Sequence, residues 1–152
     1  MRRRCAALAL ALTVAAGGCG SAKNRLFGSV DEVYDLSFNS VNLQTVSGFL
    51  VVEYVQASGA KVAKLSANLS DVTVKGGQPI DLTTMVGSQP RGTLQRVQQT
   101  TIQLPIQQGT LTLDEPVTAG ANLSGQFRTT LSDPMGRTLN GDFSATVVAP
   151  PL

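Results

Sequence analysis

Between residues 122 and 148, apolar and polar side chains alternate along the chain. Leu123, Gly125, Phe127, Thr129 and Leu131 alternate with Asn122, Ser124, Gln126, Arg128 and Thr130. Leu139, Gly141, Phe143, Ala145 and Val147 alternate with Asn140, Asp142, Ser144, Thr146 and Val148. Successive side chains on a strand point to opposite faces, so each run predicts a half-buried strand with one apolar face. Asp133-Pro134-Met135-Gly136 supplies the turn, with Pro preset for the first type I position and Gly for the left-handed residue closing a bulge. A three-residue loop predicts Asp133 opposite Arg137, Leu131 opposite Leu139, and Phe127 opposite Phe143. Both apolar faces then share one side of the sheet, and a one-residue slip sets apolar against polar throughout.

The same reading predicts strands over Val33–Val41, Val46–Gln56, Lys61–Leu69, Val72–Lys75, Ile80–Thr84, part of Thr93–Leu104, and Thr110–Leu113. Turn signals separate them at Ser58-Gly59, Gly76-Gly77, Gly87 to Gly92, Gln108-Gly109 and Ala119-Gly120. Val46–Gln56 is apolar on both faces, so a central strand covered on both sides is expected there. Short strands at this spacing predict an all-β domain of about seven to nine strands, an antiparallel β-sandwich or a partly open barrel. Composition agrees with one domain: 152 residues, 42% apolar and 14% charged, too apolar for disorder and too polar for several membrane spans.

The first residues follow a different pattern. Met1-Arg2-Arg3-Arg4 precedes a run of about a dozen apolar residues ending at Ala16, which matches a helical secretory signal and is too short to span a bilayer. The segment Ala16-Gly17-Gly18-Cys19 resembles the lipobox of bacterial lipoproteins, with Ala16 where that family usually has Leu. The resemblance implies cleavage between Gly18 and Cys19 and a diacylglyceryl thioether on Cys19. It implies outer-membrane sorting in a Gram-negative source, because Gly20 is not Asp. Ordinary secretion, with cleavage after Ala16 or Ala22, is the alternative. Gly141-Asp142-Phe143-Ser144-Ala145 also resembles the closing G-x-F-x-A strand of small uncharacterised envelope lipoproteins.

The expected organisation is therefore a signal peptide over 1–18, a lipid-bearing Cys19 with a short tether to 25, a β domain over 26–149, and a tail over 150–152. Fully extended, the tether reaches about 20 Å. Losing Arg2, Arg3 and Arg4 leaves nine Lys and Arg against ten Asp and Glu. No clustered positive charge then remains for a nucleic acid to read. Cys5 goes with the signal, so no disulfide is expected in the mature chain.

Candidate chemistry is sparse, with no His in the chain. Ser58-Gly59-Ala60-Lys61 matches the S-x-x-K pattern in which Lys activates a Ser nucleophile, but it falls on a predicted hairpin turn. Asp31, Glu32 and Asp35 offer oxygens to a cation without the spacing of a calcium loop. Gln95–Gln108 holds six Gln and Pro105, which predicts a polar edge whose Pro blocks unwanted pairing. An edge offered to a partner strand is the alternative. The expectation is a membrane-anchored, non-catalytic envelope module with no cofactor, contacting the membrane through its lipid and another envelope component through its domain. A hydrolase using carboxylates or Ser58 and Lys61 is the competing class, and a soluble secreted factor a third.

Overall fold

The computed structural model describes residues 24–149. Gly18 and Cys19, with the rest of the expected signal and the tail, lie outside the described residues. Twelve strands follow in order: β1 (Arg25–Phe27), β2 (Ser40–Val46), β3 (Phe49–Val55), β4 (Lys61–Asn68), β5 (Pro79–Asp81), β6 (Met85–Val86), β7 (Gln89–Pro90), β8 (Gly92–Val97), β9 (Thr101–Gln103), β10 (Ile106–Leu113), β11 (Asn122–Leu131) and β12 (Thr138–Val148). Seven have six or more residues and form the body; the other five are pieces of two or three. One 3-10 turn, Ser29–Glu32, follows β1.

Ten strands share one path, β5-β10-β11-β12-β2-β3-β4-β8-β9 with β1 added to β12, while β6 and β7 form a separate hairpin. The path changes layer along β12. Its residues 138–146 pair antiparallel with β11, and Val147 and Val148 pair in parallel with Leu43 and Gln44 of β2. The two layers enclose one core. Leu50, Val52, Tyr54, Leu65 and Leu94 come from one layer, and Leu111, Leu113, Leu123, Phe127 and Phe143 from the other. Tyr54 lies edge-on to Phe38 and Phe127, with ring centroids 4.9 and 6.2 Å away. On the far side, Leu82 donates its N–H to Gly109 of β10 and accepts one from Gly92 of β8. The expected all-β, sandwich-like fold is present, without closure into a barrel.

The last hairpin keeps its predicted strands and faces but not its predicted register. Thr129 faces Leu139, Phe127 faces Gly141, and Gly125 faces Phe143. The loop is longer because Asp133 organises it: its carboxylate accepts the N–H groups of Met135 and Arg137, and Leu131 donates to the Arg137 carbonyl. The shift is by an even number of positions, so the apolar faces stay together.

Other expected strands are broken by local hydrogen bonds. Within Val33–Val41, the Asp35 carboxylate accepts both the N–H and the hydroxyl of Ser37, so strand pairing waits until Ser40. Val46–Gln56 is cut at Ser47 and Gly48, whose φ of 49° and 84° make the two-residue turn joining β2 to β3. β3 is central, as expected, but only its Leu50, Val52 and Tyr54 face meets the core; on the other face Phe49 is 39% exposed. Val72–Lys75 forms no strand, because Asn68 turns the chain by accepting from Ser70. Gln108-Gly109 lies inside β10, next to a bulge, where the Gly109 carbonyl serves Leu82.

β1 is fastened to the outer flank of β12. Arg25 pairs with Asp142 at 2.8 Å and Arg128 pairs with the other oxygen of the same carboxylate at 2.6 Å. Both guanidinium groups lie over the Phe27 ring. Asn24 accepts the Ser144 N–H at 2.6 Å.

Candidate functional site

Two openings lie at opposite ends of β3. At its start, Phe49, Leu50, Leu69, Val72, Val74 and Val117 line an open groove of about 520 Å³ with no charged side chain among the described residues of its wall. The turn at Asn68–Ser70 carries Val72 and Val74 to this groove as half-buried residues outside any strand, with the Val72 N–H donated to the Leu69 carbonyl.

At the other end of β3, the Ser58-Gly59 turn and the β8–β9 turn border a polar opening of about 770 Å³. Gln56, Ser58, Gln98, Gln99 and Thr100 supply amides and hydroxyls, and Arg96 is the one charged side chain among the described residues of the wall. Arg96 belongs to the inward face of β8 with Leu94, which leaves it only 4% exposed. Its guanidinium carbon lies 4.3 Å from the centre of the Tyr34 ring, a cation–π stack. Nη1 donates to the carbonyls of Val62 at 3.2 Å and Asp35 at 3.5 Å. Burial pulls the Arg96 pKa below its ordinary value, while Tyr34 and Asp35 oppose that shift.

Among the described residues, Ser58 and Lys61 of the S-x-x-K pattern share no hydrogen bond. Ser58 stands on the exposed turn with its hydroxyl oxygen accepting the Ala60 N–H at 3.4 Å. Lys61 turns instead to Glu53, 2.7 Å away on the neighbouring strand, and Lys64 approaches the same carboxylate at 3.6 Å. Glu53 is thereby buried between β3 and β4, its charge met by two ammonium groups.

Asp31 and Glu32 sit on the 3-10 turn, and Asp35 lies beyond it with both carboxylate oxygens bonded to Ser37. Those bonds, the backbone one first, hold the Asp35 carboxyl below the usual range. Among the described residues, no three His, Cys, Asp or Glu side chains gather where they could hold a metal ion. In the Gln-rich stretch, β9 is an edge of three exposed residues, and the Pro105 carbonyl beyond it accepts the Ser132 N–H.

Sequence reasoning missed Arg96 and Tyr34. The available signal was the alternation of β8, which puts Arg96 on the same face as Leu94; a cation on a core-facing position asks for a partner. No family model matches the chain, and neither a curated protein nor a solved structure matches it.

Proposed function

We propose that this chain is a lipid-anchored protein of the bacterial cell envelope whose β domain is a non-catalytic binding module. The anchor reading rests on Ala16-Gly17-Gly18-Cys19 behind an Arg-led apolar run. Two or more acyl chains on Cys19 give stable attachment where one gives only marginal binding.

The observation that carries the binding reading is the chemistry of the polar opening. It collects hydroxyls, amides and one guanidinium, the groups that fix and orient a ligand. The candidate base Lys61 is committed to Glu53 rather than to Ser58. The direction of β1 supports an orientation as well. β1 is antiparallel to β12, so its N-terminal end points toward the Val148 end of the domain, where the apolar groove lies. On this reading the groove end faces the bilayer, and the polar opening faces away from it toward other envelope components.

Labelling of cells with an alkyne-bearing palmitate, followed by fractionation, tests the anchor. Wild-type chain is expected to carry label and to sediment with membranes, and Cys19→Ser to lose both. Retention of label in Cys19→Ser refutes the anchor. For the domain, a photocrosslinking residue in place of Gln99 is expected to give a defined adduct in whole cells. An adduct pattern unchanged by Arg96→Gln counts against the polar opening as the binding face.

A further inference from the structure

Arg91 directly precedes β8 and Arg96 lies on it, and both are almost wholly buried, at 6% and 4% exposure. Their surroundings differ. Arg91 forks onto Asp71 with bonds of 2.6 and 3.0 Å and gives a third to the Asn68 carbonyl. Arg96 has no ion-pair partner among the described residues. Among the described residues, only its Nη1 donates to protein oxygens, and only to neutral carbonyls. A guanidinium out of water without a direct ion pair carries a heavy desolvation cost, which the Tyr34 ring and the more distant Asp35 charge offset only in part. Nε and Nη2 have no protein acceptor among the described residues. The space that Arg96 borders is the polar opening, whose wall holds no carboxylate among the described residues.

We infer that this opening binds a small, hydroxylated molecule through its carboxylate or phosphate group, with the anion on the free edge of Arg96. A guanidinium edge offers two parallel N–H donors at the spacing of carboxylate or phosphate oxygens. Around it, the Ser58 and Thr100 hydroxyls and the amides of Gln56, Gln98 and Gln99 are suited to the hydroxyls of a sugar-like body. The volume fits a small molecule rather than a protein segment. The inference rests on the domain being a binding module and does not depend on Cys19 carrying lipid.

Calorimetric titration of the full chain in neutral detergent tests it, with glucuronate, glucose 1-phosphate, glucose and inorganic phosphate as probes. At least one of the two anionic sugars is expected to bind tenfold or more tighter than both glucose and inorganic phosphate. Which one binds tells carboxylate from phosphate. Arg96→Gln is expected to weaken that binding at least tenfold. Thr100→Glu guards against misfolding of that variant, since it places a carboxylate at an exposed position in the wall of the same opening. It is expected to block binding while circular dichroism stays unchanged. The inference fails if no anionic sugar binds by about 10 mM, if inorganic phosphate binds as tightly as the tighter of the two anionic sugars, or if both variants titrate like wild type. A chain that binds glucuronate but fractionates as soluble sinks the anchor alone, and an anchored chain without a titration sinks this inference alone.

Discussion

Phe127 occupies the space that a side chain at Gly141 would need. The two face each other across β11 and β12, and a Cβ on Gly141 meets the Phe127 ring and, at 2.5 Å, the Tyr54 hydroxyl. The relation is reciprocal: Phe143 faces Gly125, and a Cβ there meets the Phe143 ring at 2.8 Å and the Thr112 carbonyl at 2.6 Å. Each Gly-x-Phe run thus lays its ring over the other's glycine. Gly141→Ala is expected to lose about 1–3 kcal/mol through overpacking. Urea unfolding measures this, and a loss near zero would mean that Phe127 swings aside freely.

Tyr54 is fully buried and donates its hydroxyl proton to the Asp142 carbonyl at 2.8 Å. Burial first, and the Asp142 charge second, push its pKa above the ordinary 10.0. Below pH 10 the phenol is neutral in both states, so its contribution is complete. Above that, the unfolded chain releases a proton that the folded chain keeps, and stability falls by up to about 1.4 kcal/mol per pH unit. Tyr54→Phe is expected to lose about 1 kcal/mol at neutral pH. Its unfolding free energy is also expected to fall less steeply between pH 9 and 11 than that of wild type. Parallel curves would refute the assignment.

The Arg91–Asp71 pair predicts behaviour in acid. Hydrogen bonds from Arg91 hold the Asp71 carboxyl below its ordinary 3.8. Its contribution is therefore present above that value and is lost as pH falls through the lowered native value. Asp71→Asn leaves Arg91 buried beside a neutral amide. The variant is expected to melt at lower temperature than wild type at pH 7, with the gap narrowing toward pH 2. A gap that stays constant with pH would show that the charge is not what matters.

Glu53 depends on its two lysines. Lys61→Ala alone leaves Lys64 at 3.6 Å, so a modest loss is expected. Removing both ammonium groups leaves a carboxylate buried without a partner, which costs about 3–5 kcal/mol. A double-mutant cycle on chemical unfolding reads this, and additive losses would mean that the lysines do not share Glu53.

Where local pattern decides the outcome, the fold was legible. The limits of β11 and β12 follow from alternation alone, as does the side of the sheet on which Leu123, Phe127, Leu139 and Phe143 fall. Their register was not, because it is set by the Asp133 carboxylate in the loop and by the fit of each Phe over a glycine. The shortfall at Val33–Val41 and Val72–Lys75 has one cause: Asp35 and Asn68 side chains bond to nearby residues and divert apolar runs from pairing. The polar opening was least legible. Arg96 meets Tyr34 and the Val62 and Asp35 carbonyls only after three separate stretches of chain have packed together.

The attachment of β1 has a mechanical side. Its three residues run antiparallel along β12, held by the ladder, by Arg25 on Asp142 and by Asn24 on Ser144. A pull on the preceding chain toward the Val148 end acts along the strand axis. The cross-strand bonds then share the load in shear instead of breaking one at a time, as they do when a strand is peeled from its end. A stalk joined in this way resists tension best in one direction, and Arg25 and Asn24 are the first residues to feel it.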